Sequence, residues 1–176
     1  MECEVNGVTV EIVEGDITFQ DDMDAVVNAA NAELTSGGGV AGAIHQAAGP
    51  GLAEESRPLA PIQPGEAVIT GGHELPNRHV IHVLGPVYGS DKPEDELLTQ
   101  CYRNTLLLAE EHGLESIAFP SISTGAFGYP IEEAAEVALR TVLESVKNLQ
   151  SVRRIRFVLY GEENFEAYER VLPRLL

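Results

Sequence analysis

The chain has 176 residues, 28 acidic side chains against 11 Lys and Arg, and a formal net charge of −17 at pH 7. Its 44% hydrophobic and 22% charged content is that of an ordinary soluble globular protein, long enough to bury a core without staples, so residues 1–176 are expected to form one domain. The excess of carboxylates excludes a general nucleic-acid binder, because such affinity comes from basic residues neutralising phosphates. No basic-then-apolar leader follows Met1, and no apolar run approaches the roughly 18 residues of a membrane span. A cytoplasmic protein with no membrane association is therefore expected.

Cys3 and Cys101 stand far apart with no metal-type spacing, and read as reduced, small apolar side chains. His45, His73, His79, His82 and His112 form no H-E-x-x-H or similar pattern, and no metal or cofactor is expected. Arg153, Arg154 and Arg156 are the one basic cluster, which reads as a solvated stretch opening a strand.

In chain order, Val8 to Val13 alternates β-branched and polar residues, the period of a strand with one buried face. It ends at Glu14-Gly15-Asp16-Ile17. Asp24 to Ala30 is a short apolar run of the buried, parallel-sheet type and carries Asn28, with Asn31 one residue beyond. Ser36-Gly37-Gly38-Gly39 then leads into a helix of small residues from Val40 to Ala48. Gly49-Pro50-Gly51 breaks that helix, and a second short one runs near Leu52 to Leu59. Glycines before a helix N-terminus, where N–H groups are unpaired and the dipole is positive, form a phosphate cradle.

Glu66 to Thr70 and His79 to Leu84 are two more strands. Pro93 to His112 is an amphipathic helix with three acids in its first turn. Ser116 to Pro120 is a strand feeding Ser121-Ile122-Ser123-Thr124-Gly125-Ala126-Phe127-Gly128-Tyr129-Pro130, which reads as a second jaw opposite the triple glycine. Ile131 to Leu149 is a helix, Arg156 to Tyr160 the last strand, and Glu162 to Leu175 the last helix, with Phe165 on its buried face. Strands alternating with helices define an α/β fold on a largely parallel sheet. In such sheets ligands sit beyond the carboxyl ends of the strands, which is where the loops after Val13, Val27, Phe119 and Leu159 lie.

The run V-V-N-A-A-N followed by G-G-G-V-A-G-A-I-H, then V-I-H-V-L-G-P, then S-I-S-T-G-A-F-G-Y-P resembles the macrodomain family of ADP-ribose-binding modules. It is most similar to the branch that removes ADP-ribose from modified acidic side chains, over about Val8 to Tyr160. The resemblance implies a three-layer α/β/α sandwich on a mixed sheet. It also implies roles for particular residues. Asp16 and the backbone of Ile17 would contact adenine, although on the residues alone Asp16 reads equally as a turn cap. Tyr160 would lie against the base, where stacking contributes about 1–3 kcal/mol. Gly38, Gly39 and Val40 would offer N–H groups to one phosphate, and Ser123, Thr124, Gly125, Ala126 and Phe127 to the other.

Asn31 would hold the distal ribose through its paired donor and acceptor, with Asn28 bracing the loop backbone. Gly38 and Phe127 would shape the ribose pocket, and His45 would be the remaining side chain of an acid–His pair. Some members place an aspartate four residues before that histidine, where this chain has Ala41. Two functions follow from the resemblance. One is a hydrolase cleaving the ester between mono-ADP-ribose and aspartate or glutamate of a protein, with O-acetyl-ADP-ribose as a related substrate. The other is a non-catalytic reader of ADP-ribose. Either would act as a monomer on ADP-ribose and mono-ADP-ribosylated proteins.

Overall fold

In the computed structural model, which describes residues 1–176, seven strands form one sheet. They are Glu2–Val5 (β1), Val8–Glu14 (β2), Ala25–Ala29 (β3), Ala67–Gly71 (β4), His79–Val83 (β5), Ser116–Phe119 (β6) and Arg154–Leu159 (β7). The spatial order is β1-β2-β7-β6-β3-β5-β4. The five central strands are mutually parallel, and β1 and β4 pair antiparallel at the two edges. The helices are Gly39–Ala48 (α1), Pro50–Ser56 (α2), Glu94–Glu111 (α3), Ile131–Ser145 (α4) and Glu162–Leu175 (α5). Short 3₁₀ turns at Arg57–Leu59 and Val146–Asn148 end the stretches expected to be continuous helix.

The period of two along each strand divides the core between the sheet's faces. Ala25 and Val27 of β3, with Ile155, Phe157 and Leu159 of β7, point toward Leu98 and Cys101 of α3, Ala135 and Ala138 of α4, and Tyr168 of α5. Val26 and Val158 point the other way, toward Ile44 and Ala48 of α1 and Leu52 of α2. Helices on both faces of a mixed sheet make the expected three-layer α/β/α sandwich. Phe119, Phe157, Tyr102 and Tyr168 form a linked aromatic group in the larger core. Phe165 is half-buried against it, as its place on the helix predicts.

Two features differ from the sequence reading. Glu2–Val5 pairs with β2 through a two-residue turn in which Asn6 has φ 50° and Gly7 has φ 79°. Asn-Gly between alternating residues is a hairpin signal, although Glu2 and Glu4 hide it among charges. The last strand starts at Arg154, two residues early, and the basic cluster is solvated only in part: Arg153 is exposed, Arg154 half-buried and Arg156 buried. Arg156 is 8% exposed; its Nε donates to Glu11 Oε2 at 3.0 Å and its Nη1 and Nη2 donate to Asp22 at 2.8 Å each. Arg154 also pairs with Glu11 and with Asp22. Both arginines share the face of β7 that Val158 presents to α1 and α2, but earlier in the strand, where loop carboxylates meet the side chains and allow a charge to be buried. The Arg156 fork holds the Asp22 carboxyl down at about 2. Burial opposes ionisation of Glu11, but hydrogen bonds from Arg154 and Arg156 prevail and lower its pKa.

Candidate functional site

The loops leaving the carboxyl ends of β2, β3, β5, β6 and β7 surround two adjoining hollows. One, of about 330 Å³, is lined by residues that include Asn31, Gly37, Gly38, Gly39, Val40, Ala41, Gly85, Ser123, Gly125, Ala126 and Phe127. The other, of about 500 Å³, is lined by Asp16, Ile17, Ala43, Thr124, Val158, Tyr160 and Asn164 among others. Gly39, Val40, Ser121 and Gly125 border both, so the hollows form one cleft over the N-terminus of α1.

The middle of the cleft is built to hold negative charge. Gly38 caps α1 with extended backbone and no side-chain hydrogen bond, and Gly39 has φ +56°, a conformation that favours glycine. No acid lies in the first turn of α1, although α3, α4 and α5 each carry two or three there. Across the cleft, Ser123 has φ 69°, and the Gly128 and Tyr129 N–H groups fold back onto Gly125 O and Ser123 O. The N–H groups of Thr124, Gly125, Ala126 and Phe127 donate to no backbone carbonyl, nor do those of Gly38, Gly39 and Val40. Two such rows of amides, one with a helix dipole behind it, suit a pair of linked phosphates. Screening limits the −17 net charge to about 8 Å at physiological salt, whereas the amides would touch a ligand directly.

At one end Asp16 is exposed; its Oδ1 accepts from Thr18 N at 2.9 Å and Thr18 Oγ1 at 2.6 Å, while Oδ2 takes no hydrogen bond from the protein. Turn capping therefore leaves one carboxylate oxygen free. Ile17 is buried in the floor. Tyr160, 82% exposed just past β7, offers an uncovered aromatic face.

At the other end Asn31 Nδ2 donates to Thr35 O at 2.9 Å, and its Oδ1 accepts from Thr35 N at 3.1 Å. One Nδ2–H remains for a ligand. Phe127 packs beside the small cluster Ala30, Leu34, Ile62 and Leu84 and walls the pocket. Two glycines let the segments around this end pack closely. A Cβ on Gly85 would lie 2.1 Å from Ser123 Oγ, and one on Gly42 would lie 2.3 Å from Gly37 O.

The structure thus brings together Asp16, Ile17, Asn31, Gly38, Gly39, Val40, Ser123, Thr124, Gly125, Ala126, Phe127 and Tyr160. It leaves out two residues. Asn28 is fully buried, and instead of bracing the loop backbone its Nδ2 donates to Nδ1 of His82, its register partner on β5, at 3.1 Å. An inward-facing strand position cannot reach the cleft. His82 Nε2 then carries the proton and donates to Thr70 Oγ1 at 2.9 Å. His45 lies on α1 beyond the glycine loop, in a separate hollow with Ser36, Gly37 and Gly42. Its ring is 6.4 Å from that of His82, and burial lowers its pKa. His45 stands one helical turn past Ala41 and is absent from the lining of both hollows of the cleft. Gly85 and Asn164 line the cleft without having been singled out in the sequence. Gly85 is legible only as the glycine of V-L-G-P, and Asn164 carries no signal because it is one polar residue in an acidic first turn.

No group of three or more His, Cys, Asp or Glu could hold a metal ion, and no helix is long and apolar enough to cross a membrane.

The chain belongs to the macro domain family: the Macro domain sequence model matches residues 27–138. It is 48% identical to an O-acetyl-ADP-ribose deacetylase of Salmonella typhimurium, over 94% of each chain. It superimposes on a mutant macrodomain of Oceanobacillus iheyensis with ADPR at a TM-score of 0.95 and 41% identity, covering 99% of this chain and 97% of that one. With a Trypanosoma brucei macrodomain in complex with ADP-ribose the TM-score is 0.86 at 38% identity, over 92% of this chain and 68% of that one.

Proposed function

We propose that this chain binds ADP-ribose in the cleft and hydrolyses esters on its distal ribose. The substrates are O-acetyl-ADP-ribose and mono-ADP-ribose joined to aspartate or glutamate of a protein. One observation carries the reading: a single cleft has a carboxylate and an open aromatic at one end, facing rows of amides in the middle, and a carboxamide with a phenyl wall at the other. That order matches base, diphosphate and distal ribose. The naming of a relative as a deacetylase supports the ester as the bond cleaved.

The ribose half contains no titratable side chain. Catalysis therefore rests on holding the ester and a water together, with Asn31 on the sugar and the ligand's own phosphate orienting the water. Water adds its oxygen at the ester carbonyl or at the ribose carbon, the ester bond breaks, and acid and ribose hydroxyl are released. His45 is not used as a base. The same lack of a side-chain base, with Ala41 lining the pocket, favours the second reading, a module that binds ADP-ribose without cleaving it.

Calorimetric titration followed by incubation with O-acetyl-ADP-ribose tests the proposal. ADP-ribose is expected to bind more tightly than ATP or NAD, and acetate to be released. Equal competition by all three nucleotides would point to a general phosphate binder instead.

A further inference from the structure

The segment between β2 and β3 contains only turns, yet it carries Asp16 and lies over Arg154 and Arg156 of β7, which its Gln20 and Asp22 meet. What holds it is a chain of polar contacts with a defined direction. Arg156 is fixed on three carboxylate oxygens, Glu11 Oε2 at 3.0 Å and both Asp22 oxygens at 2.8 Å. Its Nη1 also donates to Gln20 Oε1 at 2.8 Å, and Gln20 Nε2 donates to the Asp16 carbonyl at 2.8 Å. Gln20 is 7% exposed, and its own carbonyl accepts from Asn77 Nδ2 at 2.7 Å.

A guanidinium can only donate, so it decides which end of the Gln20 carboxamide faces it. The oxygen must point at Arg156 and the N–H at Asp16. Buried bonds to a charged group are the strong kind, and they fix geometry as well as energy. An apolar residue at position 20 would fill the space without gripping the Asp16 main chain.

We propose that Gln20 and Arg156 are positioning residues for base recognition: they lock the peptide at Asp16 so that its free carboxylate oxygen meets the exocyclic amine of the base. This rests on the reading that Asp16 contacts adenine. The relay acts through Asp16 and touches no ligand atom.

The test compares affinities for ADP-ribose and IDP-ribose, whose hypoxanthine carries an oxygen in place of the amine, with melting temperature followed in parallel. Wild type is expected to prefer ADP-ribose. Gln20→Glu keeps the acceptor toward Arg156 and removes the donor to Asp16, and Gln20→Met removes both. Each is expected to cut the preference by about tenfold. Asp22→Asn, at a half-exposed side chain, loosens the guanidinium with little risk to folding and should cut it by about threefold. Asn31→Ala should leave the ratio unchanged. A ratio that stays at the wild-type value in every folded variant, even with lower melting temperatures, reduces the relay to scaffolding and overturns the proposal. A wild type with no preference removes the adenine role of Asp16, and the relay with it.

Discussion

Asn31 and Thr35 clasp one another across the start of the glycine loop: Asn31 Nδ2 donates to Thr35 O at 2.9 Å and Thr35 N donates back to Asn31 Oδ1 at 3.1 Å. Gly37 follows so closely that a Cβ there would sit 3.3 Å from Asn31 Nδ2. The side chain proposed to hold the ribose therefore also holds the loop that forms the wall beside it.

Asn31→Ala is expected to lower turnover by more than about 30-fold while weakening ADP-ribose binding by less than about threefold, because positioning matters more in the transition state than in the ground state. Asn31→Asp keeps the acceptor for Thr35 N and loses the donor, and should show the same split. Single-turnover rates beside calorimetric Kd values check this; equal losses in both would undo the assignment.

Gly42→Ala should harm the site although alanine favours helix by about 1 kcal/mol. Its Cβ would meet Gly37 O at 2.3 Å, so the loop must move. Lower melting temperature and about tenfold weaker ADP-ribose binding are expected. Gly38→Ala is the contrast: the backbone there is extended and nothing lies within 4 Å of the new Cβ, so its melting temperature should not fall. Thermal scans with ligand titrations decide between these outcomes.

Tyr160→Ala removes a side chain that is 82% exposed, so stability should hold. Affinity for ADP-ribose should drop by an amount equivalent to about 1–3 kcal/mol of stacking. Binding of ribose 5-phosphate, which has no base, should be unaffected, and a matching loss there would contradict the stacking role.

The Asn28–His82–Thr70 chain gives stability a pH dependence. Burial takes the His82 pKa from the ordinary 6.5 down to about 4, and His45 is lowered by the same cause. Between those limits the unfolded chain binds protons that the folded one refuses. Stability is therefore full above about pH 6.5 and falls as pH drops toward 4, by about 3 kcal/mol for His82. Glu110 and Asp22, both near 2 when folded, begin to add their losses as pH falls past their ordinary values of 4.5 and 3.8 and complete them near 2. Urea unfolding from pH 7 to pH 4 should show the decline, flattened in His82→Gln.

Much of this was legible from residues. Apolar runs such as Ala25–Val27 and Phe157–Leu159 identify buried parallel strands, and both jaws follow such runs, which places them at carboxyl ends. Side-chain direction within an element was not legible. Whether Asn28 turns inward to His82, or Arg156 under a loop toward Asp22, depends on strand register and on what packs over each part of a strand. The same holds for His45: its spacing from the triple glycine does not tell that its side chain lines a hollow beside the cleft and not the cleft itself.

The central claim is tested most directly by incubating the wild-type protein with a glutamate-linked, mono-ADP-ribosylated target and following label release beside ADP-ribose binding. Release by wild type, strongly reduced in Asn31→Ala, is the predicted result. Binding of ADP-ribose with no release from the modified target would contradict the hydrolase and leave the reader.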